Sequence, residues 1–188
     1  MPSALIVVDV QVDFCEGGSM GVEGGAATAA AISRHVGLEA GRYAHVVASR
    51  DYHEDPGAHF SADPDFVDSW PPHCRVGDAG AAFHPELDVA AIDAVFGKGL
   101  YEAAYSAFDG TGPGAASLAA WLRDRGVTEV DVVGIATDHC VRATALDAVA
   151  AGFSTTVLLG LTAGVAPRTT SRARDEMAAA GVHLLAGR

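Results

Sequence analysis

The sequence predicts a three-layer α/β domain on a parallel sheet of six strands. Short runs of β-branched and aliphatic residues alternate with helix-forming segments. Connections with helices of ten or more residues suit parallel βαβ units rather than hairpins. The chain has 188 residues, 49% of them apolar. That is enough for one hydrophobic core and short for two, so a single domain over residues 1–188 is expected.

The elements follow in order. Ala4–Val10 (ALIVVDV) is an almost continuous apolar run, as in a strand buried on both faces. A glycine-rich loop, Cys15–Gly25, leads to a helix over Ala26–Leu38. His45–Ser49 and Ala91–Phe96 read as the second and third strands. An alanine- and leucine-rich helix covers Ala115–Arg125 and stops at Gly126, a residue suited to the left-handed turn past a helix end. Glu129–Ala136 is the fourth strand, and a helix over Asp138–Ala151 stops at Gly152. Phe153–Leu159 is the fifth strand, Arg168–Ala180 the last helix and Val182–Leu185 the sixth strand. The connection from Arg50 to Ala90 is rich in Pro, Asp, Gly and His. Loops that long in a compact domain are functional or disordered, and its aromatic and histidine content favours function.

Composition narrows the function. The formal net charge of −12 argues against nucleic acid or an anionic membrane surface as partner, since both need a basic face. No stretch reaches the length of a membrane span. The N-terminus, MPSALIVVDVQ, lacks a basic leader region and reads as a first strand. Cys15, Cys74 and Cys140 are an odd, sparse set, which points to a reducing compartment and a cytoplasmic location. The glycines have no G-x-G-x-x-G spacing, Gly97-Lys98-Gly99 lacks the rest of a P-loop, and no G-x-S-x-G occurs.

Two constellations carry chemistry. Asp51, His53, His59 and His73 cluster in the long loop. Asp51 and His53, two apart in extended chain, project to one side. Three imidazoles and a carboxylate suit a divalent transition metal such as zinc, iron or manganese, and suit calcium or magnesium poorly. Read alone, the same histidines are equally well solvated surface groups. The second constellation is Cys140, Asp9 and Lys98. Cys140 falls in the first turn of the helix after the fourth strand, where unpaired N–H groups and the helix dipole favour a thiolate and could receive an oxyanion; the alternative is an inert core cysteine. Asp9 ends an otherwise apolar strand, either as a general base for the thiol or as a cap on the loop through the amides of Gln11 and Val12. Lys98, between two glycines at the third strand, either joins these groups or is a surface lysine. Phe14, Trp70, Tyr105 and His139 could wall a flat pocket for a planar ring, or simply pack.

Taken together, these residues resemble a known family. IVVDVQVDFCEGGS (6–19), DPGAHF (55–60), SWPPHC (69–74), FHPELD (83–88), KGLYEAAYS (98–106) and VDVVGIATDHCVRATALDA (130–148) are similar to the nicotinamidase/pyrazinamidase group, of actinobacterial type, within the isochorismatase-like cysteine hydrolases. The resemblance runs from end to end. It implies a doubly wound sheet of order 3-2-1-4-5-6 and a cis peptide before Ala136. It implies a site in which Cys140 is the nucleophile, Asp9 the base, Lys98 their companion, and the amides of Ala136 and Cys140 the oxyanion hole. Asp51, His53, His59 and His73 would hold one metal. Phe14, Trp70, Tyr105, Ile135 and His139 would hold the ring, and the metal would contact the ring nitrogen. The implied reaction converts nicotinamide to nicotinate and ammonia through a thioester, and pyrazinamide to pyrazinoate. The other readings are a hydrolase of the same fold acting on another small amide or carbamoyl compound, a non-catalytic metal- or ligand-binding module, and a metal that activates water with Cys140 structural. The residues leave open monomer or homo-oligomer.

Overall fold

The computed structural model describes residues 2–39 and 41–186. Met1, Ala40, Gly187 and Arg188, which the expectation of one domain over 1–188 includes, lie outside the described residues. The elements are β1 (Ser3–Val8), α1 (Gly25–Leu38), β2 (His45–Asp51), β3 (Ala94–Lys98), α2 (Leu118–Asp124), β4 (Glu129–Ile135), α3 (Arg142–Ala150), β5 (Ser154–Ala163), α4 (Pro167–Ala179) and β6 (His183–Leu185). All six strands pair in parallel in the order β3-β2-β1-β4-β5-β6. The order reverses between β1 and β4, where open α/β sheets form a ligand crevice at the carboxyl ends of the strands.

The alternation of side chains along β1 explains the layering. Ala4, Ile6 and Val8 point to one face, where they join Phe96, Leu118, Leu122, Ala145 and Met177 beneath α2, α3 and α4. Leu5 and Val7 point to the other, where they meet Ala29 and Ile32 of α1, with Val133 and Ile135 of β4. A strand covered on both faces must be apolar at every position, which is why ALIVV reads as a run and not as an alternation.

Several boundaries differ from the sequence reading, each for a local reason. β1 stops at Val8, two residues early, because Asp9 turns to φ 47 and leaves the ladder. β3 begins at Ala94 and takes in Gly97 and Lys98, because a short 3-10 turn at Val89–Ala91 uses the residues before it. α2 starts only at Leu118: Ala115 lies at φ 60, and Ser117 caps the helix by accepting the amide of Ala120. β5 runs on to Ala163, where Thr162 and Ala163 pair with Gly134 and Ile135 beyond a bulge. The helix after β4 opens with a π-helical turn, Thr137–Val141, and α3 proper begins at Arg142. The peptide bond between Ile135 and Ala136 is cis. Register at the crevice is tight: Val8 lies opposite both Ser49 and Gly134, and Asp51 opposite Lys98. Gly134 is required there, since at φ 117 a Cβ would stand 2.1 Å from the carbonyl oxygen of Val8.

Candidate active site

The crevice over β1 and β4 gathers the chemistry-bearing side chains. Asp9, first residue past β1, is fully buried. Its Oδ1 accepts a hydrogen bond from Ser49 Oγ at 2.7 Å, and its Oδ2 faces Lys98 Nζ at 2.9 Å. Gln11 N bonds the backbone oxygen of Asp9, and Val12 N bonds Ala82. The Asp9 carboxylate therefore does not cap its own loop. Lys98, last residue of β3, is also buried. Its ammonium donates to Asp51 Oδ1 and to the carbonyl of Ala104 at 3.1 Å, and stands 3.8 Å from Cys140 Sγ. One cation thus touches both carboxylates and the thiol.

Lys98 lies inside β3 and not in a loop after it, which fixes its reach. Burial alone would strip its proton, but Asp51 and Asp9 outweigh that and hold it charged, well above the usual lysine range. Burial also works against ionised Asp51, but the Lys98 charge prevails, with the nearby imidazoles of His53 and His73 adding to it, and holds its carboxyl well below the usual range. At Asp9 burial dominates and raises the proton affinity, with Lys98 opposing. Cys140 behaves differently from the sequence expectation of a lowered thiol pKa. Burial pushes the thiol well up, Lys98 opposes, and Asp9 and Asp51 add to the rise. The thiol sits inside a π-helical turn at 8% exposure, where desolvation exceeds any benefit from the helix end. Cys140 is therefore a thiol at rest, and its ionisation needs a proton acceptor beside it.

The three histidines converge on the adjoining strand end, and all are buried. Each offers one ligand atom, and these atoms lie within 4.8 Å of one another. The outer nitrogens of two rings are occupied: His53 Nδ1 pairs with the carbonyl of Gly99, and His73 Nδ1 with that of Pro71 at 2.7 Å. Gly99 is needed for this, because at φ 76 a Cβ would stand 2.4 Å from His53 Cε1. Inward, His53 Nε2 and His59 Nδ1 are buried without hydrogen-bond partners, a costly state for imidazoles unless a cation takes their lone pairs. Asp51 Oδ2 faces the same space, 3.5 Å from His53 Nε2 and 3.7 Å from His73 Nε2. Burial and its neighbours His73 and His53 push the pKa of His59 down to about 4, which keeps it neutral as a metal ligand must be. This donor set fits a transition metal.

A pocket joins the two constellations. Asp51, His59, His73, Ala136 and Cys140 all line it. All five residues expected at the ring, Phe14, Trp70, Tyr105, Ile135 and His139, line it. Trp70 Nε1 donates to Tyr105 Oη at 2.9 Å, and the Tyr105 ring lies nearly parallel to His139 (27°) at 6.4 Å. The sequence reading missed Val22, Ala104 and Val165 on the walls; small apolar residues carry no chemical signal. It also missed Ser49 and Gln11. Gln11 Nε2 donates to the carbonyls of Asp51 and Ala81, while its Oε1 accepts the amide of Asp51. A polar residue two beyond Asp9, continuing a buried run, was the available signal.

Comparison with known proteins gives the family and the fold. The family described as "Isochorismatase domain" matches residues 3–187. The nicotinamidase/pyrazinamidase of Mycobacterium tuberculosis is 60% identical over 182 residues, covering 97% of each chain. Among solved structures, PnC1 from L. infantum in complex with nicotinate superimposes with a TM-score of 0.84 at 38% identity, over 98% of this chain and 92% of that one. The pyrazinamidase of Pyrococcus horikoshii in complex with zinc gives a TM-score of 0.84 at 34% identity, covering 100% of both chains.

Proposed function

The chain belongs to the isochorismatase family, and on that premise we propose that it is an amidohydrolase that converts nicotinamide to nicotinate and ammonia and also accepts pyrazinamide. The single observation that carries the reading is the convergence of Asp9, Lys98 and Cys140, with Lys98 Nζ 2.9 Å from Asp9 Oδ2 and 3.8 Å from Cys140 Sγ, and Cys140 itself lining the pocket.

The pocket lined by Tyr105, Trp70, His139, Phe14 and Ile135 takes the pyridine ring. His53, His59, His73 and Asp51 would hold a zinc, iron or manganese ion, which would supply a Lewis-acid anchor for the ring nitrogen. Asp9 takes the proton of the Cys140 thiol as sulfur attacks the carboxamide carbon, so the thiolate exists only in contact with its electrophile. Lys98 remains charged and offsets the negative charge passing between sulfur and carboxylate. The amides of Ala136 and Cys140 receive the oxyanion. Asp9 then returns the proton to the leaving nitrogen, ammonia departs, and an acyl-thioester remains on Cys140. Asp9 deprotonates a water that attacks the thioester carbon, and the same proton restores the thiol as nicotinate leaves. Nicotinamide is small and uncharged, so the acidic surface does not oppose its entry.

Among the described residues no helix is long and apolar enough to cross a membrane. The cysteines are free and buried, which supports placing the enzyme in the reducing cytoplasm.

Metal-loaded protein is expected to release ammonia and nicotinate in equal amounts from nicotinamide, read by a coupled ammonia assay and chromatography. Hydrolysis of some other small amide with nicotinamide untouched would replace the substrate assignment. The metal site has its own check. His53→Ala removes a ligand whose other nitrogen is already anchored on Gly99, and bound zinc is expected to fall about tenfold or more in affinity. Unchanged stoichiometry and affinity by elemental analysis and chelator competition would refute the ligand set.

A further inference from the structure

The π-helical turn that presents His139 and Cys140 also carries Asp138, whose side chain points away from the chemistry and is 4% exposed. It reaches the connection between β5 and α4. Oδ1 accepts the amide of Val165 at 2.9 Å, and Oδ2 accepts the amide of Ala166 at 3.3 Å and the hydroxyl of Thr169. Next to it, Thr137 Oγ1 donates to Thr162 Oγ1 at 2.9 Å. Two successive side chains of the nucleophile turn therefore bind the segment 162–169. α4 has no side-chain cap of its own at Ala166, and Asp138 supplies one from across the fold, with its negative charge at the favourable end of the helix dipole. Burial works against the ionised carboxyl, but the hydrogen bonds of Thr169 and Val165 outweigh it and hold its pKa below the usual range.

The geometry divides this carboxylate into two functions. Oδ2 serves the end of α4. Oδ1 serves Val165, and Val165 lines the same pocket as Cys140. We propose that Asp138 is a positioning residue for the hydrolysis, its Oδ1 bond to the Val165 amide fixing the outer pocket wall relative to the turn that carries Cys140. The inference rests on the amidohydrolase reading above. Asp138 touches no reacting atom; it acts through Val165. Losing that bond leaves the Val165 amide without its tie to the nucleophile turn, so the wall can move away from the ring.

The test separates the two oxygens. Asp138→Asn exchanges one acceptor for an NH2 and removes the charge, and is expected to raise KM for nicotinamide about tenfold, the worth of one charged hydrogen bond, with kcat falling less. It is also expected to speed alkylation of Cys140 by iodoacetamide, followed by peptide mass spectrometry, because Val165 lines the pocket that leads to the thiol and a displaced wall widens it. Thr169→Val removes the hydroxyl bonds to Oδ2 and to the Ala166 carbonyl and leaves the Oδ1 bond to Val165 in place. It is expected to lower Tm while leaving KM and the alkylation rate as they were. Val165→Gly keeps the carboxylate and deletes the wall, and should reproduce the rise in KM even if Asp138→Asn does not fold. A purely structural Asp138 would show lowered Tm in both Asp138→Asn and Thr169→Val with KM and alkylation unmoved, and that result would overturn the proposal, as would Val165→Gly at wild-type KM. Alkylation does not depend on the substrate. Faster alkylation of Asp138→Asn in a protein that leaves nicotinamide intact would sustain the strut and reject the amidohydrolase reading.

Discussion

Replacement of Cys140 by Ala is expected to reduce ammonia release from nicotinamide by roughly 10⁴-fold or more, the scale seen when a covalent nucleophile is removed from a site whose other groups persist. The size follows from what would be left. The pocket walls, the metal ligands and the Asp9–Lys98 pair are held by contacts that do not involve sulfur. The truncated protein should therefore bind nicotinate and zinc as before, and the loss should fall on kcat. The same variant discriminates between the two chemistries that this site permits. If the metal activated a water for direct attack, the sulfur would be a packing atom and its loss would cost activity only a few-fold, whereas a thioester path has no route around it. Zinc content by elemental analysis, read beside the rate, makes the result decisive: turnover within about tenfold of wild type at full zinc occupancy would end the thioester mechanism. A trapped acyl-enzyme of the expected mass on Cys140, seen after rapid acid quench of the unaltered protein, is the positive counterpart.

The sequence and the structure agree best where chemistry is costly to place. A carboxylate after five buried aliphatic residues stood out by itself, whereas the strand-end lysine and the loop histidines, read alone, suit surface groups equally well. The resemblance to a known family joined them into a single site. The sheet was legible because both faces of β1 are covered, which leaves a continuous apolar run. Three things were not legible. The ends of β1 and β3 depend on the left-handed turn at Asp9 and on the 3-10 turn before Ala94, and neither has a distinctive residue pattern. The π-helical opening of the turn at Thr137–Val141 looks in sequence like an ordinary helix start. The direction of the Cys140 pKa shift reversed because the sequence gives the position of a thiol relative to a helix end but not its burial, and burial is the larger effect here. Supporting residues such as Ser49, Gln11 and Asp138 act through hydrogen bonds to partners 27 to 70 positions away, and no local pattern names those partners.

Asp9→Asn is expected to abolish turnover, by about 10³-fold or more, without unfolding the protein, and to remove the acid limb of the pH profile. Before it can take the thiol proton, Asp9 must be ionised. Its burial raises its pKa above the ordinary value of 3.8, so kcat/KM of the unaltered enzyme should fall as pH drops through a midpoint above the usual carboxylate range. Lys98 is held well above 10.5 and stays charged through neutral and moderately alkaline pH, so it does not produce that limb. The sign for stability is opposite to that for activity. A carboxyl whose folded pKa is raised contributes stability that is fully present below its unfolded pKa and is lost as pH rises through the folded pKa. At neutral pH the ionised Asp9 is thus a stability cost, and the cluster carries two carboxylates, Asp9 and Asp51, against the single ammonium of Lys98. An amide at position 9 can still accept from Ser49 and leaves Lys98 paired one-to-one with Asp51. The variant should accordingly be at least as resistant to denaturant as the parent near pH 7, with the difference closing as pH falls and Asp9 of the parent becomes protonated. Loss of activity together with retained or increased stability is the signature of a group held ionised for chemistry against the preference of the fold. A folded Asn variant that hydrolyses nicotinamide at close to the parent rate would exclude Asp9 as the base and transfer that role to another acceptor beside the thiol.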